Sequence, residues 1–210
     1  MKVEVTESNV EELRVRFSKN CLPSWWDTIR SRYSESQRRY HTLSHLKNLL
    51  SLLDTYPVHN PLAVELAIWF HDVIYDPTRH DNEEQSIVVF EKYAVDASIE
   101  PTVAEEVTTM IRATISHKLP ETGVTDDLKL FLDFDLEVLS WLWSDYEEYS
   151  KAIRQEYIHM PDSDYTAGRA GVLERFLGRP RLYFSEEFFA TREQRARGNL
   201  RKEIEILKQQ

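Results

Sequence analysis

Residues 62–72 of the chain read Leu-Ala-Val-Glu-Leu-Ala-Ile-Trp-Phe-His-Asp, an apolar run that closes on a histidine and an aspartate. Asn60-Pro61 precedes the run as an N-cap followed by a proline in the first helical turn. Asp76-Pro77 follows the run, and a proline cannot continue the hydrogen-bond ladder of a helix. These features together predict a buried helix over 61–75.

Helical periodicity also dominates the rest of the chain. Residues 40–55 carry leucines at three- and four-residue spacing, which places them on one helix face. Further helix starts are predicted at Asp81, Pro101, Thr125, Ser144, Ser163 and Ser185, with the last helix running to Leu207. Because almost no segment has the alternation typical of a strand, we expect an all-α fold with moderately short loops.

The size and composition of the chain are those of an ordinary globular protein. Its 210 residues are 41% hydrophobic and 30% charged, which argues against disorder and allows a sizeable core. This length fits one domain, or a core with an appended helical segment.

Charge and cysteine content restrict the classes of function. A net charge of −10 disfavours binding to nucleic-acid backbones or to anionic membranes, although a small phosphorylated ligand is compatible with it. The single cysteine, Cys21, excludes an internal disulfide and is expected to be a packed residue in a reducing compartment. The first residues resemble no signal peptide, and no window is apolar enough to span a membrane, so we expect a cytoplasmic protein.

Four side chains that can bind metals lie in apolar, helix-like settings: His45, His71, Asp72 and Asp135. Neighbouring side chains leave a helix about 100° apart, yet at a helix end His71 and Asp72 can both reach one ion. Burying such groups is costly unless something satisfies them, and a divalent cation does so. We interpret the four residues as one assembled metal site.

His41 stands four residues before His45, on the same face of the predicted helix. This spacing is not the zinc-protease motif, because Thr42 occupies the position of the catalytic glutamate. His41 can therefore either support the metal ligands or cap the helix at the surface.

Asp133 and Asp135 flank Phe134 within an apolar run, and acids in such a run are seldom buried without partners. Their spacing of two residues puts them on opposing sides of a helix. One is expected to bind the metal and the other to form hydrogen bonds, and the residues alone do not choose between them.

The order His45, His71-Asp72, Asp135 resembles the HD superfamily of metal-dependent phosphohydrolases. The sequence contexts that carry this resemblance are 39–45 (Arg-Tyr-His-Thr-Leu-Ser-His), 69–75 (Trp-Phe-His-Asp-Val-Ile-Tyr), 81–83 (Asp-Asn-Glu), 132–136 (Leu-Asp-Phe-Asp-Leu), 168–169 and 196–200. The resemblance covers nearly the whole chain. These contexts are similar to those of one subgroup of predicted HD phosphohydrolases.

The resemblance implies a fold and a ligand set. The fold is a single HD-type helical bundle over 1–210, with a metal-binding core over about 36–142 and additional C-terminal helices over about 143–210. The implied ligands of one divalent cation (Mn, Fe, Co, Ni, Zn or Mg) are His45, His71, Asp72 and Asp135. The family pattern favours Asp135 over Asp133.

The resemblance also implies groups that act on the attacking water or on the substrate. Many relatives place an acidic residue shortly after the His-Asp pair, a task for which Asp72, Asp76 and Glu83 are candidates here. Relatives with two metals carry extra histidines, and His117 matches one such position. His117 and His41 are therefore candidates for a second metal or for substrate contact.

A metal-activated water and cations that hold a phosphate would make the protein a phosphohydrolase. The expected substrate is a small phosphate ester, such as a nucleotide or a related phosphomonoester. Candidate phosphate-binding residues are Arg39, Lys118, Arg112 and Arg169. A homodimer is compatible with the sequence, since the tryptophan pair Trp25-Trp26 could cover a contact between subunits.

Two other functions fit the same scaffold. Some HD-like proteins hold two irons and oxygenate their substrates, which here would draw on Glu83 and His117 as further ligands. The other alternative is a protein without catalytic activity that binds a nucleotide and signals through helix contacts.

Overall fold

The computed structural model describes residues 6–209, and within that range every regular element is a helix. The α-helices are α1 Glu7–Asn20, α2 Trp26–Arg32, α3 Leu43–Thr55, α4 Pro61–Phe70, α5 Asn82–Asp96, α6 Pro101–Thr114, α7 Asp126–Asp135, α8 Trp143–Glu156, α9 Asp162–Leu177 and α10 Glu186–Leu207. Short 3-10 helices occupy Pro23–Trp25 and Glu137–Ser140. The predicted all-α class is therefore confirmed. None of the helices in the described range is long and apolar enough to cross a membrane.

The chain forms two compact units whose boundary lies inside α7, between Leu132 and Asp133. We call residues 6–132 the N-terminal unit and residues 133–209 the C-terminal unit. The division of an HD-type domain into a core over 36–142 and an extension over 143–210 stays a prediction.

Helix α4 is the innermost element of the N-terminal unit. Every residue from Ala63 to Phe70 is buried, and α3, α5 and α6 pack around it. The helix begins as predicted, because the Asn60 side chain accepts a hydrogen bond from Ala63 N at 3.2 Å and Pro61 occupies the first turn. Because other helices surround α4, apolar residues are needed on all of its faces, which accounts for the apolar run in the sequence.

The predicted end of this helix is wrong, because α4 stops at Phe70 instead of residue 75. Beyond it, backbone N–H groups of the loop bind side chains of α5 and do not continue the helical ladder. Ile74 N donates to Ser86 Oγ at 3.1 Å, and Asp76 N donates to Asn82 Oδ1 at 3.0 Å. The start of α5 thus replaces the missing helical acceptors, and His71 and Asp72 fall in a turn.

The one acidic residue of α4, Glu65, is buried and fully engaged with α1. Its carboxylate accepts hydrogen bonds from Arg16 Nε at 3.0 Å, from Asn20 Nδ2 at 3.0 Å and from Trp69 Nε1 at 3.3 Å. Burial, together with the charge of Glu65, raises the pKa of the neighbouring Cys21 thiol to about 12. The thiol is therefore protonated at neutral pH, as expected of a packed cysteine.

Local capping signals predicted the start of some helices and not of others. Helices start as predicted at Pro101 and after Thr125 and Ser185, whose hydroxyls accept from Leu128 N and Phe188 N. Asp81 occupies the N-cap position of α5, but its carboxylate binds Arg79 and Gln85.

The predicted caps Ser144 and Ser163 are wrong. Helix α8 starts at Trp143 after Leu142, and α9 starts at Asp162 after Pro161. Both serines therefore lie inside the first turn, and neither helix start has a side-chain cap hydrogen bond.

The C-terminal unit is built on α10, which runs to Leu207 as predicted and packs against α9 and the 3-10 helix Glu137–Ser140. At its buried face Glu203 accepts hydrogen bonds from Arg169 Nε at 2.8 Å, from Ser150 Oγ at 2.8 Å and from the Tyr146 hydroxyl. Burial opposes ionisation of Glu203, but the charge and hydrogen bonds of these partners outweigh it and hold its pKa below the ordinary value.

We expect Glu203→Gln to lower the free energy of unfolding by about 3 kcal/mol at pH 7, because it leaves the buried Arg169 charge unpaired. A carboxyl whose pKa is lower in the folded state stabilises the fold above its unfolded pKa, and that stabilisation is lost as the pH falls through the folded pKa. The difference between the variant and the wild type should therefore shrink below about pH 4.5. Urea denaturation followed by circular dichroism at several pH values measures this. The control Glu174→Gln removes the exposed pair with Lys208 and should cost less than about 1 kcal/mol.

Candidate metal centre

Helix α3 delivers His45 to the interior of the N-terminal unit. The helix starts at Leu43, where the Thr42 hydroxyl accepts from Ser44 N at 3.3 Å. His45 lies among the buried leucines of this helix and is only 1% exposed. His41 precedes the helix, so the prediction that His41 and His45 share one helix face is wrong.

His71 lies at the C-cap of α4 with its imidazole held in one orientation. Its Nδ1 is 3.0 Å from the carbonyl oxygen of Ile68, which can only accept a hydrogen bond. The proton of the neutral ring therefore sits on Nδ1, and Nε2 presents a lone pair. A backbone carbonyl that fixes the tautomer in this way is typical of histidines that bind metals.

His45, His71 and Asp72 converge on one point. His45 Nε2 lies 3.2 Å from His71 Nε2, and Asp72 Oδ2 lies 3.1 Å from His71 Nε2 and 3.9 Å from His45 Nε2. Ligands at about 2.1 Å from one ion stand about 3.0–3.4 Å apart in tetrahedral or octahedral geometry. His45, His71 and Asp72 are the group of potential metal ligands found between residues 6 and 209, and they could hold one ion. Two of their separations lie in this range, whereas the 3.9 Å between His45 Nε2 and Asp72 Oδ2 is wider.

Arg38 holds the turn that carries Asp72, and the sequence reasoning missed this residue. Its side chain is buried, and it donates to the carbonyl oxygens of Asp72 at 2.8 Å, His41 at 3.1 Å and Val73 at 3.2 Å. The only signal in the sequence for such a role is the pair Arg38-Arg39, and two adjacent arginines do not reveal which of them is buried.

His41 lies beside the three converging residues without being one of them. Its ring stacks on Tyr75 with centroids 4.3 Å apart, and its Nε2 is 3.9 Å from Asp72 Oδ2. His41 can therefore support Asp72 or contact a ligand bound there.

The pKa of Glu83, in the first turn of α5, responds to the charges of this group. Burial raises its pKa, and the negative charge of Asp72 raises it further, whereas His117 and His71 act in the opposite direction. His117 follows α6 in the left-handed conformation, with φ at 46°. Its backbone N–H donates to Ala113 O at 2.9 Å. The charges of Asp72, His71 and His117 thus act on the Glu83 carboxyl.

Asp76 closes a local turn of the loop. One carboxylate oxygen accepts from Thr78 N at 2.9 Å and from Thr78 Oγ1 at 2.7 Å. The roles of Asp76 and Glu83 in exchanging a proton near Asp72 stay predictions.

The predicted phosphate-binding residues have different surroundings. Arg39 is exposed and donates to the carbonyl oxygens of Ser36 and Arg38. Arg112 pairs with Glu84 at 3.2 Å, and together with Lys118 it lines a cleft of about 700 Å³ between α6 and the loop 116–125.

Arg169 belongs to the C-terminal unit, where Glu203 accepts from its Nε and Nη2. The ion pair with Glu203 accounts for an arginine at this position, so no bound phosphate is needed to explain it.

Asp133 and Asp135 lie at the end of α7, and the structure distinguishes their surroundings. Asp133 is fully buried and caps the start of α10, accepting from Phe184 N at 2.7 Å and from Ser185 N at 2.8 Å. Burial raises its pKa to about 6, although these hydrogen bonds act against the shift. Asp135 is partly exposed and lies near Tyr149. Asp135 as a fourth metal ligand stays a prediction.

No protein-family model matches the chain, and comparisons with curated proteins and with solved structures find no match either.

We expect Asp133→Ala to lower the free energy of unfolding of the metal-free protein by about 2 kcal/mol, because the backbone donors of Phe184 and Ser185 lose their acceptor. Asp135→Ala should change it by less than about 1 kcal/mol. Urea denaturation at pH 7.5 with a chelator present measures both values. Equal losses would contradict the assignment of the Phe184 and Ser185 backbone donors to Asp133 and not to Asp135.

Proposed function

We propose that this protein is a metal-dependent phosphohydrolase of the HD type that hydrolyses a small phosphate ester. The observation that supports the proposal is the convergence of His45, His71 and Asp72 on a point where one cation fits. The resemblance described above adds Asp135 as the fourth ligand and supplies the reaction class.

The donor set suits a divalent cation. Two neutral imidazoles and one carboxylate match first-row ions and Mg²⁺, and do not favour the ions that prefer thiolates. A bound cation would lower the pKa of a coordinated water and polarise a phosphoryl oxygen of the substrate. In this proposal His45, His71 and Asp72 hold the cation, and Glu83 exchanges a proton with the water.

The remaining task is to hold the negative charge of the substrate. The overall charge of −10 repels phosphate, so local cations have to offset it. Lys118, Arg112 and Arg39 are the candidates of the N-terminal unit, and Arg169 is left out because Glu203 already pairs with it. A nucleotide or a related phosphomonoester is the proposed substrate class.

A second candidate function is suggested by the effect of the Asp72, His71 and His117 charges on the pKa of Glu83. A site that recruits Glu83 and His117 as further ligands could hold two irons and oxygenate a substrate. Oxygen consumption by the iron-loaded protein, without release of phosphate from any ester, would support this candidate against the first.

We expect the purified protein to retain a divalent metal that His71→Ala and Asp72→Ala each release. Each substitution removes one of three converging ligands, whose Nε2 and Oδ2 atoms lie 3.1 to 3.9 Å apart. Elemental analysis after dialysis measures the metal content. His80→Ala is the matched control, since His80 is an exposed histidine of the same loop. Equal metal content in all variants would contradict the proposed ligands.

We expect the metal-loaded protein to release phosphate from p-nitrophenyl phosphate or from members of a panel of nucleotides and sugar phosphates. A metal contributes several kcal/mol to the transition state, so Asp72→Ala should lower kcat/KM about 100-fold or more. A variant with the activity of the wild type would rule out the hydrolase function at this site. A nucleotide that binds the metal-loaded protein but is never hydrolysed would point to a protein without catalytic activity.

A further inference from the structure

Arg38 is a buried cation of the N-terminal unit whose guanidinium binds the backbone at several points. It is 3% exposed, and it donates three hydrogen bonds to backbone carbonyl oxygens. A further hydrogen bond goes from Nε to Glu35 Oε2 at 3.2 Å. Because most of these donors bind main-chain oxygens, the guanidinium mainly holds the backbone in place, and neutralising a charge is its smaller role.

The carbonyl oxygens that Arg38 binds belong to two separate segments of the chain. His41 O lies in the segment that leads into α3, and hence to His45. Asp72 O and Val73 O lie in the turn that follows α4 and carries the Asp72 carboxylate. Arg38 therefore ties together the two segments that bring the candidate metal ligands to one point.

Two further contacts reinforce this connection. The guanidinium carbon lies 4.8 Å from the ring centre of Tyr33 and 5.3 Å from that of Tyr75, so aromatic faces hold its plane. The adjacent Gln37 donates from Nε2 to Tyr75 O at 3.0 Å and joins the same two segments further along the turn.

The geometry requires an arginine. The planar fork of a guanidinium presents several donors in fixed directions, whereas a lysine ammonium is one compact charge on a flexible stem. A lysine at this position would retain the charge but could not reach three carbonyl oxygens in two segments while lying between two rings.

We propose that Arg38 is a positioning residue of the metal centre, which sets the separation of Asp72 from the two imidazoles through the backbone of the turn. This inference rests on the metal-binding part of the proposed function and does not depend on which reaction the metal supports.

The direction in which metal affinity changes on substitution of Arg38 distinguishes a positioning role from an electrostatic one. A positive charge next to a cation site repels the cation, so removing the charge of Arg38 would by itself tighten metal binding. Loss of positioning would weaken binding instead. Arg38→Met removes both the charge and the fork, whereas Arg38→Lys removes only the fork.

The experiment measures the Kd of the chelator-treated protein for Co²⁺ by titration, followed through the visible absorption of the bound ion, together with Tm. We expect both Arg38→Lys and Arg38→Met to raise Kd about 10- to 100-fold, the range found when a group that supports metal ligands is lost. The absorption spectrum of the bound ion should change as well, because the ligand geometry changes.

The matched control is Arg154, which binds the backbone of the C-terminal unit in the same way. It donates to Tyr157 O at 2.8 Å and to Met160 O at 3.1 Å, and its guanidinium carbon lies 4.7 Å from the ring centre of Tyr165. We expect Arg154→Lys to lower Tm without changing Kd or the spectrum, so a loss that is merely structural is recognised.

A milder variant covers the case in which the Arg38 variants do not fold. Gln37 is exposed, and Gln37→Ala should raise Kd about threefold, the equivalent of part of one neutral hydrogen bond. If the wild type binds no Co²⁺, the proposed metal site itself is wrong. If the wild type binds and the folded Arg38 variants bind equally well or more tightly, or if only Gln37→Ala folds and its Kd is unchanged, the positioning role is wrong.

Discussion

Burial of helix α4 from Ala63 to Phe70 is the constraint on which the N-terminal unit depends. Because every side chain from Ala63 to Phe70 is enclosed, neighbouring helices must pack around it on all sides. His71 and Asp72 follow Phe70 directly, so the burial of the helix places the His71 side chain in the interior and leaves Asp72 partly buried beside it.

The buried polar groups of the protein fall into two kinds. Glu65, Glu203 and Asp133 each face donors that satisfy their carboxylates, so packing and hydrogen bonding explain them without a ligand. His45 and His71 are different, because their Nε2 atoms face each other at 3.2 Å with the Asp72 carboxylate alongside. Three groups able to donate electron pairs that converge in this way are the arrangement that a cation stabilises, which is why the proposed function rests on them.

The turn after α4 has no secondary structure of its own to hold it in place. Its shape depends on side chains that reach it from two directions: Arg38 and Gln37 before α3, and Ser86 and Asn82 in α5. Such a turn keeps its geometry only while the surrounding helices stay packed. The precision of the candidate metal centre is therefore a property of the packed unit and not of the short segment that contains the His-Asp pair.

The sequence by itself determined the helical class, the central apolar helix and the residues able to bind metals, because helical periodicity, proline positions and side-chain chemistry are local properties. It also determined the caps at Asn60, Thr125 and Ser185, where the capping hydroxyl or amide acts within its own turn. Ser144 and Ser163 carried the same local signal, yet α8 starts after Leu142 and α9 after Pro161, so both serines lie inside a first turn. Only the tertiary structure decided that Arg38, and not Arg39, is buried and that Asp133 caps α10. Each of these outcomes depends on partners far away in the chain, and no pattern of neighbouring residues encodes such partners.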